Sequence, residues 1–147
     1  MWTSRKEESN KKGGSFMEGT VSINLFVSDT AKALVFYQGI FGAQLQSLNL
    51  EAAPGMRNAK FTIGTQAFAL ADENPEWGSK SPLTLGGAPL CLQLNVSAIQ
   101  PILDKALEKG ATIMAPGTDD APIFMINESF RVCNIRDPFG FVWSLTD

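Results

Sequence analysis

The chemistry open to this chain is narrowed first by an absence: none of its 147 residues is histidine. Imidazole bases, triads built on histidine and the commonest metal ligand are therefore excluded. Proton abstraction would fall to a carboxylate, and Glu51, Asp72, Glu128 and Asp137 are the candidates. Glu51 and Asp72 fall at strand or loop ends, and Glu128 lies in a polar loop. Asp137-Pro138-Phe139-Gly140 has the residues of a type I turn, with Asp at i, Pro at i+1 and Gly at i+3, so Asp137 is expected to be occupied there. Cys91 and Cys133 sit inside apolar stretches and are expected as reduced core thiols rather than a disulfide. No cation adjoins Cys91 to make it a nucleophile. Lys60 shares strand parity with Asn58. Pointing inward it would bind an anion or supply a Schiff-base amine, and pointing outward it would be a solvated edge residue. Arg131 and Arg136 flank the last hairpin, where pairing with Asp137 and contact with an anion are the alternatives. Gly86-Gly87 leads into a strand rather than a helix, so no phosphate loop is present.

These residues need elements to hold them. Val21, Ile23, Leu25 and Val27 alternate with Ser22, Asn24 and Phe26, the period of a strand. Asp29 or Thr30 can cap a helix carrying Ala33, Leu34, Phe36, Tyr37, Ile40 and Phe41 at helical spacing, stopped at Gly42. Strands follow at about 44–50, 58–63 and 67–71, with turns at Pro54-Gly55 and Gly64-Thr65. The order then recurs. Leu90, Leu92, Leu94 and Val96 alternate, and Ser97 is the expected cap of a helix striped by Ile99, Ile102, Leu103, Ala106 and Leu107. Gly110 ends it, and strands are expected near 112–115, 130–136 and 141–145. Val27 to Gly42-Ala43 superimposes on Val96 to Gly110-Ala111 with one residue of difference.

The chain thus reads as an α+β fold of two βαβββ modules in pseudo-twofold repeat, at about 18–72 and 88–147, joined by a linker around Trp77. Each helix covers one face of its sheet, and the second face must meet something else. That second face carries Ser22, Asn24 and Phe26 in the first half and Cys91, Gln93 and Asn95 in the second. Such a mix of amide, small and aromatic groups suits a cavity between curved sheets, the alternative being an open solvated sheet. By the same parity Asn58, Lys60 and Thr62 oppose Phe61 and Ile63, and Asn58 and Gln93 are expected as buried amides with partners. Trp77 either shields the mouth of the cavity or pins the linker. Ile123-Phe-Met-Ile126 shows neither period and is expected in a dimer interface or a lid.

Composition bounds the partners. Hydrophobic residues make up 44% and charged residues 18%, a globular balance. The net charge is −3 with the cations scattered, against a nucleic-acid footprint, and no apolar run nears the ~18 residues of a membrane span. Residues 1–17 carry four cations against two carboxylates and no apolar run, as a mobile tail or leader would, with Met17 as a possible start. The folded remainder holds about −5. The cytoplasm is the default compartment.

The order of these pieces resembles the vicinal oxygen chelate superfamily, which includes glyoxalase I, bleomycin-resistance proteins, fosfomycin-resistance enzymes and extradiol dioxygenases. Val27-Ser-Asp29, Ala33-Leu-Val-Phe-Tyr37 and Phe41-Gly42-Ala43 are similar to the family's first strand and helix. Asp137-Pro-Phe-Gly140 is similar to its final hairpin. Leu70-Ala-Asp72 through Trp77-Gly78, Ser81-Pro82 and Leu85-Gly86-Gly87-Ala-Pro89 resembles the linker of the PhnB-like branch. The resemblance runs from about residue 20 to 147.

Metal-dependent members hold a divalent ion with His, Gln and Glu side chains from four strands. Carried onto this chain those positions are about Ser22, Ala69, Cys91 and Ser144. The further histidines of the PhnB-like branch fall at Asn58 and Gln93. The resemblance therefore implies a member without the metal and with no cofactor, closer to the bleomycin-resistance type, which sequesters a small molecule in a groove between two subunits. The expected function is metal-free binding of a small hydrophobic or aromatic ligand by a homodimer, resistance-related by analogy. Polar contacts would come from Ser22, Asn24, Asn58, Lys60, Cys91, Gln93, Asn95 and Ser144, and stacking from Phe26 and Trp77. The alternative is a divergent lyase, isomerase or dioxygenase that recruits metal through Cys91 and carboxylates.

Overall fold

The structure, a computed structural model, describes residues 19–147; the expected tail or leader at 1–17 lies outside the described residues. Two copies of one arrangement follow in chain order. The first comprises β1 (Ser22–Val27), α1 (Thr30–Phe41), β2 (Gln44–Asn49), β3 (Asn58–Ile63) and β4 (Gln66–Asp72). The second comprises β5 (Cys91–Asn95), α3 (Ile99–Glu108), β6 (Thr112–Ile113), β7 (Phe124–Asn127), β8 (Phe130–Arg136) and β9 (Val142–Thr146). A 3-10 turn at Pro75–Trp77 and a four-residue helix α2 (Pro82–Leu85) lie between them.

Each module forms a mixed sheet. The first has the order β1-β4-β3-β2 and the second β5-β9-β8-β6, with β7 also on β8. In both, the strand before the helix pairs in parallel with the last strand, Ser22 opposite Ala67 and Cys91 opposite Val142. The other pairs are antiparallel. The internal repeat read in the sequence is thus present down to strand direction.

Alternation fixes which face of each strand meets the helices. Leu25 and Val27 on β1, Phe61 and Ile63 on β3, Phe68 and Leu70 on β4, and Leu92 on β5 are all buried. Each such side chain contributes about 1.5–3 kcal/mol on burial, so a one-residue slip of any strand is strongly disfavoured. The two helix-facing surfaces share one core. Tyr37 joins them: its ring lies 5.8 Å from Phe61 in the first sheet and 5.7 Å from Trp143 in the second. The Asp29 side chain accepts from the Lys32 amide at 3.1 Å to start α1, and Gly42, at φ 67°, ends it in a conformation that disfavours other residues.

The structure departs from the sequence reading in five places. Residues 124–127 form a strand, β7, with a register shift against β8; Met125 and Ile126 stay exposed, so burial imposes no alternation there. The second module therefore has four strands after its helix. Ser97 does not cap α3: Ala98 occupies that position, and the Ile99 amide donates instead to Asp147 at 2.9 Å. Cys91 is exposed rather than a core thiol, while Cys133 is buried; both are free. Arg131 pairs with Asp147, through contacts of 2.8 and 2.6 Å, and not with Asp137. Asn58 and Gln93 are exposed rather than buried, because among the described residues nothing covers the second face at those positions.

Candidate functional site

The strand registers place the expected ligand-binding residues in rows across the second, helix-distal face of each sheet. In the first sheet Lys60 and Asn24 flank Ala69, Asn58 and Phe26 flank Ala71, and Thr62 and Ser22 flank Ala67. The central strand β4 thus presents three methyl groups between longer neighbours, a shallow trough along the sheet. In the second sheet Gln93, Ser144 and Asn134 form one row. Cys91, Val142 and Arg136 form the next, and Asn95, Thr146 and Val132 a third. The hydroxyl of Thr146 donates to the side-chain oxygen of Asn95, so that amide is partly satisfied within the sheet.

Exposure separates these residues. Ser22, Asn24, Asn58, Lys60, Cys91, Gln93 and Asn95 are exposed, and Phe26 and Ser144 half-buried. Asn58 donates to the Met56 carbonyl at 3.1 Å, a local turn contact. Trp77 is 68% exposed. A cavity of about 290 Å³ at the seam of the modules brings Cys91 and Gln93 together with Ile23, Phe68 and Trp143. Asn134 and Arg136 also belong to the second face. The alternation of buried Cys133 and Ile135 with Asn134 and Arg136 was the signal available for them.

The carboxylates considered as bases are spoken for or remote. Asp72 is buried and accepts from the Thr30 amide at 2.9 Å and the Gly55 amide at 3.1 Å. Asp137 accepts four donors: Tyr37 Oη at 2.5 Å, Trp143 Nε1 at 2.9 Å, and the amides of Phe139 at 2.9 Å and Phe141 at 3.0 Å. Burial pushes its carboxyl above the usual range although those donors oppose the shift. Burial, with Asp137 beside it, also pushes the Tyr37 phenol well up. The Gly140 amide closes the expected turn on the Asp137 carbonyl at 3.0 Å. This network sits in the core, on the helix side of the sheets. Glu51 and Glu128 are exposed in loops.

The four positions that the family resemblance assigns to a divalent ion do not fit one. Ser22, Ala69, Cys91 and Ser144 share the second face of their sheets, yet they offer a methyl, two neutral hydroxyls and one thiol. A catalytic zinc-type ion takes about three Cys, His or carboxylate ligands. Among the described residues no three His, Cys, Asp or Glu side chains cluster where such an ion would sit.

The paired modules and their parallel first and last strands define a class, and the sequence comparison agrees with it. Residues 19–145 match the family model of the Glyoxalase/Bleomycin resistance protein/Dioxygenase superfamily, and the chain belongs to that family. It is 32% identical over 136 residues to an uncharacterized protein of Mycobacterium bovis, covering 88% of this chain and 83% of that one. An uncharacterized protein of Mycobacterium tuberculosis matches at the same identity over 74% of its length. The fold is similar to a gene product from Arabidopsis thaliana at TM-score 0.68 and 19% identity, covering 89% of this chain and all of that one. It is also similar to a superfamily member from Sphaerobacter thermophilus, at TM-score 0.61 and 23% identity over 90% and 98% of the two chains. The fosfomycin resistance protein FosX from Listeria monocytogenes, solved with Mn(II) and sulfate, matches at TM-score 0.64 and 14% identity over 88% and 89%.

Proposed function

We propose that this protein binds a small hydrophobic or aromatic molecule without a metal, on the helix-distal faces of its sheets. The observation that carries the reading is the donor set on those faces. The family resemblance puts the ligand positions of metal-dependent members at about Ser22, Ala69, Cys91 and Ser144, and around them lie the neutral amides Asn24, Asn58, Gln93, Asn95 and Asn134. Amides and hydroxyls orient a ligand through hydrogen bonds; without His or carboxylate ligands beside them they rarely hold a catalytic divalent ion, and they do not abstract a proton at neutral pH. The alanine trough on β4 leaves room for a flat ring beside Phe26, and Lys60 and Arg136 would meet any acidic group on it.

A homodimer belongs to this reading. Small-molecule sites bury about 70–90% of the ligand surface, and an open sheet face cannot. A second copy laid over the faces would complete the enclosure, with Trp77 and the exposed Met125 and Ile126 available to contribute apolar contact. The linker pattern from Leu70 to Pro89 supports placement in the PhnB-like branch. A resistance role by sequestration is the biological form this takes.

The test is a thermal-shift screen of aromatic small molecules with and without a chelator, on the wild type and on Gln93→Leu and Asn134→Leu. A true ligand at a hundred times its Kd should raise Tm by about 5–10 °C. The shift should be unchanged by chelation and reduced in both variants. Turnover of a hit that ceases on chelation would replace this reading with a metal-dependent lyase, isomerase or dioxygenase.

A further inference from the structure

The helix side of the molecule carries a second concavity, which the proposed sheet-face site does not use. Lys32, Val35, Phe36, Gly39 and Ile40 recur at i, i+3, i+4, i+7 and i+8 along α1 and form one wall. Lys105, Glu108 and Lys109, on the last turn of α3 and just beyond it, form the other. The groove encloses about 470 Å³, within the ~300–1,000 Å³ of small-molecule sites. Its floor is apolar: Phe36, Ile40 and Phe139 retain only 7–8% exposure.

Two residues on α1 have no explanation in the fold. Val35 is 69% exposed although branched residues are mediocre helix formers. Gly39 lies within the helix, where glycine is unfavourable, yet a Cβ there would meet nothing within 4 Å, and its φ is not in the left-handed region. Neither packing nor backbone geometry asks for glycine. What the missing side chain provides is depth in the groove.

The rim supplies the sign of the occupant. Three ammonium groups, Lys32, Lys105 and Lys109, face one carboxylate, Glu108, on a protein whose net charge is −3. Among the described residues none of these lysines is in an ion pair; Arg131 with Asp147 is the pair found there. A locally cationic rim over an apolar floor matches an amphipathic anion.

We propose that the groove between α1 and α3 is a second binding site, for a single-chain amphipathic carboxylate. Its alkyl part would lie on Phe36, Ile40 and Phe139, and its carboxylate would meet the lysine rim. The inference is independent of the sheet-face site.

The probe is decanoate, below its micellar concentration, with decanol and decyltrimethylammonium as neutral and cationic counterparts. Calorimetry and amide NMR read the result on the full chain. Decanoate should bind one to one, with shifts confined to α1, α3 and the 138–139 turn, and weaken several-fold in high salt. Gly39→Leu, or Gly39→Ala should the larger change fail to fold, and the pair Lys105→Glu with Lys109→Glu should each weaken it tenfold or more. Gln93→Leu should leave it unchanged. Non-saturable binding, equal affinity for decanol or the cationic amphiphile, or shifts on β5 and β9 would overturn the proposal. So would loss of a dimer in the Gly39 variants, which would assign the groove to a second copy of the chain.

Discussion

Asp72 and Asp147 occupy equivalent places in the two modules and hold the same atom in each: the first amide of the helix, Thr30 and Ile99 respectively, both at 2.9 Å. Each carboxylate stands at the end of its module's last strand, so the strand that pairs in parallel with the first also caps the helix between them. A carboxylate at a helix N-terminus satisfies an orphan amide and opposes the dipole. This is how each module locks its helix to its sheet.

Asp72→Ala should lower stability by about 1–3 kcal/mol, since it strands the Thr30 and Gly55 amides in partly buried surroundings. Chemical denaturation measures this. Asp147→Ala frees Arg131 as well as the α3 amide. Hydrogen bonding to Arg131, then to the Ile99 amide, holds the Asp147 carboxyl below the usual range. A depressed folded value means its stabilisation is present above the ordinary carboxylate pKa and is lost as pH falls through the folded one. The stability gap between wild type and Asp147→Ala should therefore close on acidification.

Tyr37→Phe removes one of the four donors to Asp137 and should cost about 1–3 kcal/mol at neutral pH. The Asp137 carboxyl is shifted in the opposite direction to that of Asp147. The Asp137 carboxyl is raised in the folded state, so its contribution is complete below the unfolded pKa and falls as pH rises through the folded value. Losing the phenol donor raises it further. The deficit of Tyr37→Phe should be largest at neutral pH and shrink as pH drops through that raised value, which denaturation midpoints across an acid series would show.

Leu92 and Gln93 are adjacent on β5 and face opposite ways, the first 7% exposed and the second open. Leu92→Asn should destabilise by about 2–5 kcal/mol, through lost burial and a polar group placed in the core. Gln93→Leu should change stability by less than about 0.5 kcal/mol. Equal effects in thermal melts would mean that the two faces of β5 are assigned wrongly.

Strand parity was legible because one face of each strand is tightly buried. The pattern from Val21 to Val27 gave the helix-facing side of β1, and the same argument on β5 and β3 put Leu92, Phe61 and Ile63 on the correct side. Parity says which way Asn58 and Gln93 point and nothing about what covers them, so their expected burial failed. The strand at 124–127 was missed because an edge strand with a register shift carries no burial constraint to imprint an alternation. The Asp147 cap of α3 lies 48 residues from the amide it serves, beyond any local motif. The groove between α1 and α3 was invisible for a related reason: a stripe such as Lys32-Val35-Phe36-Gly39-Ile40 becomes a wall only when the neighbouring helix is placed.

The two thiols should behave oppositely. Cys91 is exposed, whereas Cys133 is buried, and burial pushes its thiol up to about 11. A thiol-reactive disulfide reagent at pH 8 should titrate one cysteine in the native protein and both after unfolding. Two fast native thiols would mean that the β8–β9 core opens readily.

Metal content distinguishes binding without an ion from metal-dependent chemistry. If Ser22, Ala69, Cys91 and Ser144 retain no catalytic divalent ion, as proposed, the protein acts on its ligand by binding alone. Purified protein should be incubated with zinc, manganese and nickel, dialysed against metal-free buffer, and analysed for elements alongside its ligand affinity. Well under one equivalent of any divalent metal should remain, and the affinity should be unchanged by chelator. One retained equivalent per chain, with binding or turnover lost on chelation and restored by metal, would contradict it.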